Sequence, residues 1–175
     1  CGFVGDDLIY FIGNTYIKSF DIGTIVHQGA SGVDYAPFRD ISFAIDYLLW
    51  GENPLGFHLT SVLLFGVIVV TVRYAFVSLH NLICDSTTYV NVDTSSFFAA
   101  LIVAVHPNHR EVVYAVFNRG ALLTVLFSLF SIITFVRFLH TEKKERCFFY
   151  AVSLAAYSSA LMSREYSLTL PFAIT

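Results

Sequence analysis

Long apolar runs, separated by short polar segments, occupy most of this chain. They cover residues 55–79, 97–105, 117–139 and 148–162, and a further run begins at residue 168. A helix that crosses a membrane needs about 20 mostly apolar residues. The pattern therefore predicts an all-α membrane protein, a polytopic helical bundle with four spans and the beginning of a fifth.

The beginning of the chain follows a different pattern. Apolar residues recur at helical spacing over 6–20, and after Pro37 the side chains of Arg39 and Asp46 fall on one face of a second helix. Residues 21–36 are rich in glycine and are expected to form a loop between the two helices. Two amphipathic helices joined by a loop are typical of a membrane–water interface.

These patterns divide the chain into two parts. Residues 1–54 are predicted to form an extracytoplasmic interfacial loop with amphipathic helices, and residues 55–175 a transmembrane helical bundle that is truncated at the C-terminus. The segment 140–146 holds the densest cluster of Lys and Arg, so its side of the membrane is predicted to be cytoplasmic. Nine of the thirteen acidic residues lie on the opposite side. Because the chain lacks an initial Met and stops inside an apolar run, we expect a fragment.

Composition strengthens the membrane assignment and excludes other classes. Hydrophobic residues make up 56% of the chain and charged residues 13%, about half the charged share of a soluble domain. The mean hydropathy of +0.68 excludes a disordered chain. A net charge of −3 offers no basic surface for nucleic acid, so no nucleic-acid partner is expected.

Two adjacent carboxylates, Asp6 and Asp7, are the first candidate site residues. They lie beside an apolar segment, where the chain is expected to leave the membrane. Mutual repulsion and a low dielectric shift the pKa values of such a pair, which suits a general base or a cation site. Acidic residues are also common at helix N-termini, where they stabilise the helix dipole. The residues themselves leave both interpretations open.

Residues 106–111 hold the second candidate group. Pro107 suits the first turn of a helix, because its missing N–H is not needed there. One stripe of that helix would be formed by Asn108, Glu111, Tyr114 and Asn118. His106, His109 and Glu111 can bind a metal, a lipid phosphate or a sugar hydroxyl. Their spacing matches no known zinc motif.

The third candidate group consists of Arg119 and the pair Arg164-Glu165, which lie at predicted span ends, and of Arg39, which is expected to face the same compartment. Ionisable groups at membrane depth usually face a protein interior or a wet cavity, although a long side chain also reaches the interface by snorkelling. Arg39 can pair with Asp46 or bind a phosphate. All of these groups are expected on the extracytoplasmic side, which favours one shared site.

Several short motifs occur in an order that resembles a known family. In chain order they are Asp6-Asp7 with Asn14, residues 35–39 and 42–47, Trp50-Gly51 with Pro54 and His58, residues 106–111, Asn118-Arg119, and residues 163–165 with Leu170-Pro171. In these motifs the chain resembles the N-terminal membrane region of GT-C glycosyltransferases related to the tetratricopeptide-repeat O-mannosyltransferases and their bacterial relatives. The resemblance covers nearly the whole chain.

The resemblance implies transfer of a sugar from a polyprenyl-phosphate carrier to a protein or glycan acceptor on the extracytoplasmic face. In that chemistry a carboxylate activates the acceptor hydroxyl, and cationic groups stabilise the departing lipid phosphate. Asp7 is then the catalytic base, with Asp6 as the competing candidate. The residues implied to bind substrate or lipid phosphate are Arg39, His106, His109, Glu111, Arg119, Arg164 and Glu165. Related enzymes differ in metal dependence, so no cofactor is assigned and a divalent metal remains an alternative.

Departures from the family pattern keep a second function open. Family members usually have Arg where Ala36 stands and Lys where Arg164 stands. The alternative is a non-catalytic structural subunit that retains a GT-C-like fold and has other membrane subunits as partners. A transporter fragment is disfavoured, because the ionisable residues cluster at span ends. Residues 50–58 favour a bacterial plasma membrane; a eukaryotic source would place the protein in the endoplasmic reticulum membrane.

Overall fold

The computed structural model describes residues 2–3, 7, 13–28, 34–83, 91–141 and 143–164. These residues form eight α-helices and one 3-10 turn and contain no strand, which confirms the all-α class for this part of the chain. In chain order the elements are α1 (Thr15–Lys18), α2 (Ile22–Gln28), α3 (Pro37–Trp50), α4 (Pro54–Ile83), α5 (Val92–Val105), α6 (His109–Tyr114), the 3-10 turn (Val116–Asn118), α7 (Arg119–His140) and α8 (Lys143–Leu161).

Two helices among the described residues are long and apolar enough to cross a membrane. α4 has 30 residues, and α7 with its preceding turn, Val116–His140, has 25. At 1.5 Å per residue these segments are about 45 Å and about 37 Å long, which exceeds the ~30 Å thickness of the hydrocarbon core. The spans predicted over 55–79 and 117–139 agree with these two helices.

The remaining predicted spans do not meet the same criteria. The run 97–105 lies in α5, which has 14 residues and a length of about 21 Å, too short to cross a bilayer alone. The run 148–162 lies mostly in α8, whose 19 residues begin with the charged segment 143–146. The run from residue 168 lies outside the described residues. Length and composition therefore support two of the four complete spans.

α7 packs against both α4 and α8, and α5 packs against α4. The contact between α7 and α8 is lined by small hydroxyl residues. The hydroxyls of Ser131 and Ser153 each donate to the backbone carbonyl of the other residue at 3.0 Å. The Thr124 hydroxyl lies 3.4 Å from the carbonyl of Ala160. Small polar residues of this kind allow membrane helices to approach closely and to bond to each other.

A small apolar core joins the first three helices to the beginning of the bundle. It contains Ile17 on α1, Ile25 on α2, Phe43 on α3, Phe57 on α4 and Val116 in the 3-10 turn. All five side chains are almost completely buried. Burial of this kind stabilises a fold by roughly 1.5–3 kcal/mol for each large apolar side chain. The core therefore fixes α1, α2 and α3 beside the N-terminal end of α4, close to the start of α7.

The loop predicted over 21–36 is wrong for residues Ile22–Gln28, which form α2. The carboxylate of Asp21 accepts hydrogen bonds from the backbone N–H of Thr24 at 3.2 Å and from its hydroxyl at 2.7 Å. A side-chain cap of this kind satisfies an N–H at the start of a helix, and it lowers the pKa of Asp21. The cap offsets the low helix propensity of Gly23.

Of the first predicted amphipathic helix, over 6–20, residues 6 and 8–12 lie outside the described residues, and Thr15–Lys18 form α1, a helix of four residues that the Asn14 side chain caps. The second corresponds to α3, which turns its charged face inward. Arg39, Asp40 and Asp46 are at most 2% exposed, whereas Leu48 and Leu49 are 63% and 67% exposed. A surface helix of a soluble protein has the opposite arrangement. α3 therefore presents an apolar face outward and contributes its charged side chains to the interior.

Candidate functional site at the start of α7

Arg119, the first residue of α7, is the centre of a buried polar cluster. Its side chain is fully buried, and Nη1 lies 2.5 Å from Oδ2 of Asp46. Nη2 donates to the backbone carbonyl of Phe57 at 2.8 Å. The guanidinium also lies 4.9 Å from the ring centroid of Phe43, which is close enough for a cation–π interaction. One side chain therefore connects α3, α4 and α7.

Asp46 is the counter-ion of Arg119 on α3. Its second oxygen, Oδ1, accepts a hydrogen bond from the Thr60 hydroxyl at 3.0 Å. Burial raises the pKa of the Asp46 carboxyl, and the positive charge of Arg119 opposes this change. Because desolvation of two charges offsets much of their attraction, a buried ion pair is weak support for stability.

Asp7 approaches the same guanidinium from the beginning of the chain. Its side chain is 1% exposed, and Oδ1 accepts the backbone N–H of Phe117 at 2.8 Å. Phe117 belongs to the turn before α7, where N–H groups have no carbonyl partner within the helix. The Asp7 carboxylate also attracts the Arg119 guanidinium. The negative charges of Asp7 and Asp46 thereby offset the unfavourable position of an arginine at a helix N-terminus.

Arg39 forms a second buried ion cluster. Its guanidinium donates two hydrogen bonds to Asp34, at 2.7 and 2.9 Å, and two to Oδ1 of Asp40, at 3.0 and 2.8 Å. Burial lowers the pKa of Arg39, but the two carboxylates outweigh burial and raise it. The pairing of Arg39 with Asp46 that the sequence left open is not formed. Seven residues separate the two by about 10 Å along the helix axis, and Asp46 is bound to Arg119.

Gly120 brings the two ion clusters together. A Cβ atom at this position would lie 2.9 Å from the backbone carbonyl of Ser163 and 3.4 Å from Cδ of Arg39. The backbone N–H of Phe38 also donates to the carbonyl of Met162 at 3.4 Å. The absence of a side chain at Gly120 therefore allows the first turn of α7 to pack closely against α3 and the end of α8.

Arg164 reaches the site from the end of α8. Its Nη1 donates to Oδ1 of Asn118 at 3.1 Å, and Asn118 immediately precedes Arg119. Arg164 is partly exposed, in contrast to the other two arginines of the site. The candidate residues that the structure places around the start of α7 are Asp7, Arg39, Arg119 and Arg164. Two further candidates, Asp6 and Glu165, lie outside the described residues.

The two candidate histidines lie on and immediately before α6, which packs against α4 and α7. The rings of His106 and His109 are 5.6 Å apart, and His109 lies 5.3 Å from the ring of Phe65 on α4. Nδ1 of His106 accepts the backbone N–H of Asn108 at 3.2 Å. His106 is the C-cap of α5 and Asn108 the N-cap of α6, so α6 begins at His109 and the first-turn position predicted for Pro107 is wrong.

Glu111 lines a cavity of about 330 Å³ together with Pro107, Asn108 and Tyr114. The predicted stripe is thus confirmed for three of its four members, whereas Asn118 bonds to Arg164 instead. The volume lies within the range of small-ligand sites. Within the described part of the chain, no three His, Cys, Asp or Glu side chains are arranged to hold a metal ion. The cavity is better suited to hydrogen bonding than to metal ligation.

Sequence reasoning missed several polar side chains of the site. Thr60 and Ser61 bind Asp46 and Arg119, at 3.0 and 3.4 Å respectively. Their signal in the sequence is a pair of hydroxyl residues near the start of an otherwise apolar run. The acidic partners of Arg39, Asp34 and Asp40, also escaped notice. The sequence predicts that Asp46 lies on a polar face of its helix. The spacing of residues within one helix does not identify a partner on another helix.

Comparison with known proteins finds relatives with a common description. Protein O-mannosyl-transferase TMTC3 of Homo sapiens is 29% identical over 147 residues, which are 78% of this chain and 15% of that protein. Protein O-mannosyl-transferase TMTC1 of Mus musculus is 29% identical over 149 residues, 81% of this chain and 15% of that protein. Protein O-mannosyl-transferase TMTC4 of Mus musculus is 30% identical over 160 residues, 84% of this chain and 21% of that protein.

No protein-family model matches the chain, and no solved structure does. The chain spans between 15% and 21% of the length of these three curated relatives. They are mammalian, and a further relative is from Drosophila melanogaster, so the expectation of a bacterial plasma membrane gains no support. Over most of its length, this chain is related to the tetratricopeptide-repeat protein O-mannosyltransferases, as its motifs predicted.

Proposed function

We propose that this chain is part of a membrane glycosyltransferase that moves mannose from a polyprenyl-phosphate carrier to a hydroxyl group of a protein. The reaction takes place on the extracytoplasmic face of the endoplasmic reticulum membrane, within a GT-C-type bundle. The observation that carries the proposal is the buried Asp7 carboxylate, which accepts the backbone N–H of Phe117, two residues before Arg119. Similarity to proteins named O-mannosyl-transferases supports the same chemistry.

Asp7 acts as the general base in this proposal. A general base must be held in one orientation within reach of the hydroxyl that it deprotonates. The N–H of Phe117 fixes Oδ1 of Asp7 and thereby the plane of the carboxylate. Arg119, held in turn by Asp46, balances the negative charge in a site from which water is largely excluded. Arg119 and Asp46 are therefore positioning residues. Asp6 remains the competing candidate for the base.

Arg164 is the residue proposed to contact the departing lipid phosphate. Its guanidinium is partly exposed and donates to the neutral carboxamide of Asn118. Arg39 and Arg119 are buried, so their guanidinium groups are not accessible to a lipid phosphate. A positive charge close to the developing phosphate charge stabilises the transition state. Of the three arginines, Arg164 has the geometry that best suits this task.

The cavity beside Glu111 is proposed to bind a sugar or acceptor hydroxyl. Carboxylate, carboxamide and phenol groups converge there from Glu111, Asn108 and Tyr114. His58 stacks on Tyr114 with ring centroids 6.0 Å apart, which supports the aromatic wall of the cavity. The rings of His106 and His109 pack against each other in the neighbouring turn. The apolar outer face of α3 would lie against the lipid chain at the membrane interface.

A transfer assay on the reconstituted full-length gene product tests the assignment of Asp7. Asp7→Asn keeps the shape of the side chain but removes the base, so transfer from polyprenyl-phosphate mannose should fall by about 10²–10⁴-fold. Asp21→Asn is a matched control, because Asp21 is exposed and bonds within α2. Wild-type transfer by the Asp7→Asn protein would refute the assignment. If transfer is lost in Asp6→Asn but not in Asp7→Asn, Asp6 is the general base.

A second function, a non-catalytic membrane subunit, is favoured by one observation. Two of the three arginines of the site are neutralised by carboxylates of the same chain, as in a structural ion network. This alternative predicts no transfer by the full-length protein with any polyprenyl-phosphate sugar. It also predicts that substitutions in the cluster change thermal stability alone. Sugar transfer that is lost in Asp7→Asn with unchanged melting temperature would exclude the subunit.

A further inference from the structure

A second cavity lies at the opposite end of the bundle from Arg119. It has a volume of about 500 Å³ and lies between α4, α7 and α8. Arg137 is 18 residues after Arg119 on α7, a distance of about 27 Å along the axis. This distance approaches the ~30 Å thickness of the hydrocarbon core. If the Arg119 cluster lies at one face of the bilayer, the second cavity lies near the other.

The walls of this cavity combine one cationic group with hydroxyl and aromatic groups. Arg137 is exposed and takes part in none of the ion pairs formed among the described residues. The hydroxyls of Thr71 and Thr134 donate to carbonyls of their own helices at 2.7 and 2.8 Å, so their oxygens can still accept. Phe148 and Phe149 at the start of α8 provide an apolar wall.

Several basic residues belong to the same end of the bundle. Arg146 lies with its guanidinium 4.6 Å from the ring centroid of Phe138, near the beginning of α8. The connecting segment 140–146 contains two lysines and a histidine together with Glu142 and Glu145, so that with Arg146 its formal charge is +1. Basic pockets between membrane helices on the cytoplasmic side suit the head groups of anionic lipids. This end is also the side that the distribution of Lys and Arg predicts to be cytoplasmic.

We propose that this cavity binds an anionic glycerophospholipid. The phosphate contacts the Arg137 guanidinium, hydroxyl groups on the wall bind the glycerol region, and the first acyl carbons lie against Phe148 and Phe149. A soluble phosphate or nucleotide would leave this apolar wall in contact with water, whereas a lipid covers it. The site is separate from the proposed transfer site, and the inference does not depend on sugar transfer.

Lipid binding to the purified full-length protein tests the proposal. Delipidated protein in detergent is titrated with phosphatidylserine or phosphatidylcholine, and bound lipid is counted by native mass spectrometry. Arg137→Gln should weaken phosphatidylserine binding about tenfold or more, because a charge-assisted hydrogen bond is lost. Arg73→Gln is the matched control. Arg73 is equally cationic and half exposed on α4, but it faces Asp93 of α5 at 3.4 Å.

A second variant tests the cavity without a change of charge. Val152 lines the cavity on α8, and Val152→Trp should fill the space and reduce phosphatidylserine binding while Arg137 is retained. Equal binding of both lipids by the wild-type protein would overturn the proposal. So would equal losses in Arg137→Gln and Arg73→Gln, or preferential binding of polyprenyl phosphate or inorganic phosphate. Selective loss in Arg137→Gln and Val152→Trp supports it, whether or not the protein transfers sugar.

Discussion

Replacement of Asp46 by Asn is the sharpest test of the buried cluster at the start of α7. The substitution keeps the shape of the side chain but leaves Arg119, which is 0% exposed, without its counter-ion. Removal of one partner from a buried pair destabilises a protein by about 3–5 kcal/mol. The Asp46 carboxylate is itself buried, at 2% exposed, so its removal relieves part of the desolvation cost of the pair and we expect a loss near the lower value.

The double substitution Asp46→Leu with Arg119→Met separates stability from charge. Thr60 keeps its hydrogen bond to the Gly56 carbonyl at 3.1 Å, and the Phe57 carbonyl keeps the Ser61 hydroxyl at 3.1 Å. No new unpaired polar group is created among these residues. Replacement of a buried ion pair by apolar side chains is often neutral or stabilising, but the buried Asp7 carboxylate also loses the balancing charge of Arg119. The double variant should therefore be more stable than Asp46→Asn and less stable than the wild type.

Thermal unfolding of the detergent-solubilised full-length protein measures these differences. We expect the melting temperature of Asp46→Asn to be well below that of the wild type, and that of the double variant to lie between the two. Sugar transfer, measured in parallel, should be lost in both variants, since the charge that balances Asp7 is displaced or absent. A double variant as unstable as Asp46→Asn would contradict the reasoning, as would wild-type stability in Asp46→Asn.

Two further substitutions test the packing and the phosphate contact. Gly120→Ala should destabilise the protein by about 1–3 kcal/mol, because the new Cβ would press on a backbone carbonyl at the end of α8. Gly66→Ala on α4 meets no atom within 4 Å and should be neutral or slightly stabilising; equal melting temperatures for the two variants would be unexpected. Arg164→Gln should raise the KM for the polyprenyl-phosphate donor about tenfold, whereas Lys18→Gln should not. Titration of the donor distinguishes the two variants, and an unchanged KM in Arg164→Gln would refute the proposed phosphate contact of Arg164.

Local patterns were sufficient to predict the helical membrane character of the chain. The runs at 55–79 and 117–139 correspond to α4 and α7, because an apolar helix is recognised from its own residues alone. Asp7 and Arg119 were identified as candidates because charges beside apolar runs are unusual. The glycines of 21–36 predict a loop, whereas the helix α2 depends on the cap that Asp21 provides.

The tertiary structure decided which charges meet. Asp46 pairs with Arg119 and not with Arg39, since the packing of α3 against α4 and α7 determines which carboxylate reaches the guanidinium. The inward direction of the charged face of α3 also depends on that packing. Hydropathy and periodicity describe one helix at a time and establish that this chain is helical and suited to a membrane. The pairing of residues far apart in sequence is set by the contact between helices, and only the folded chain contains it.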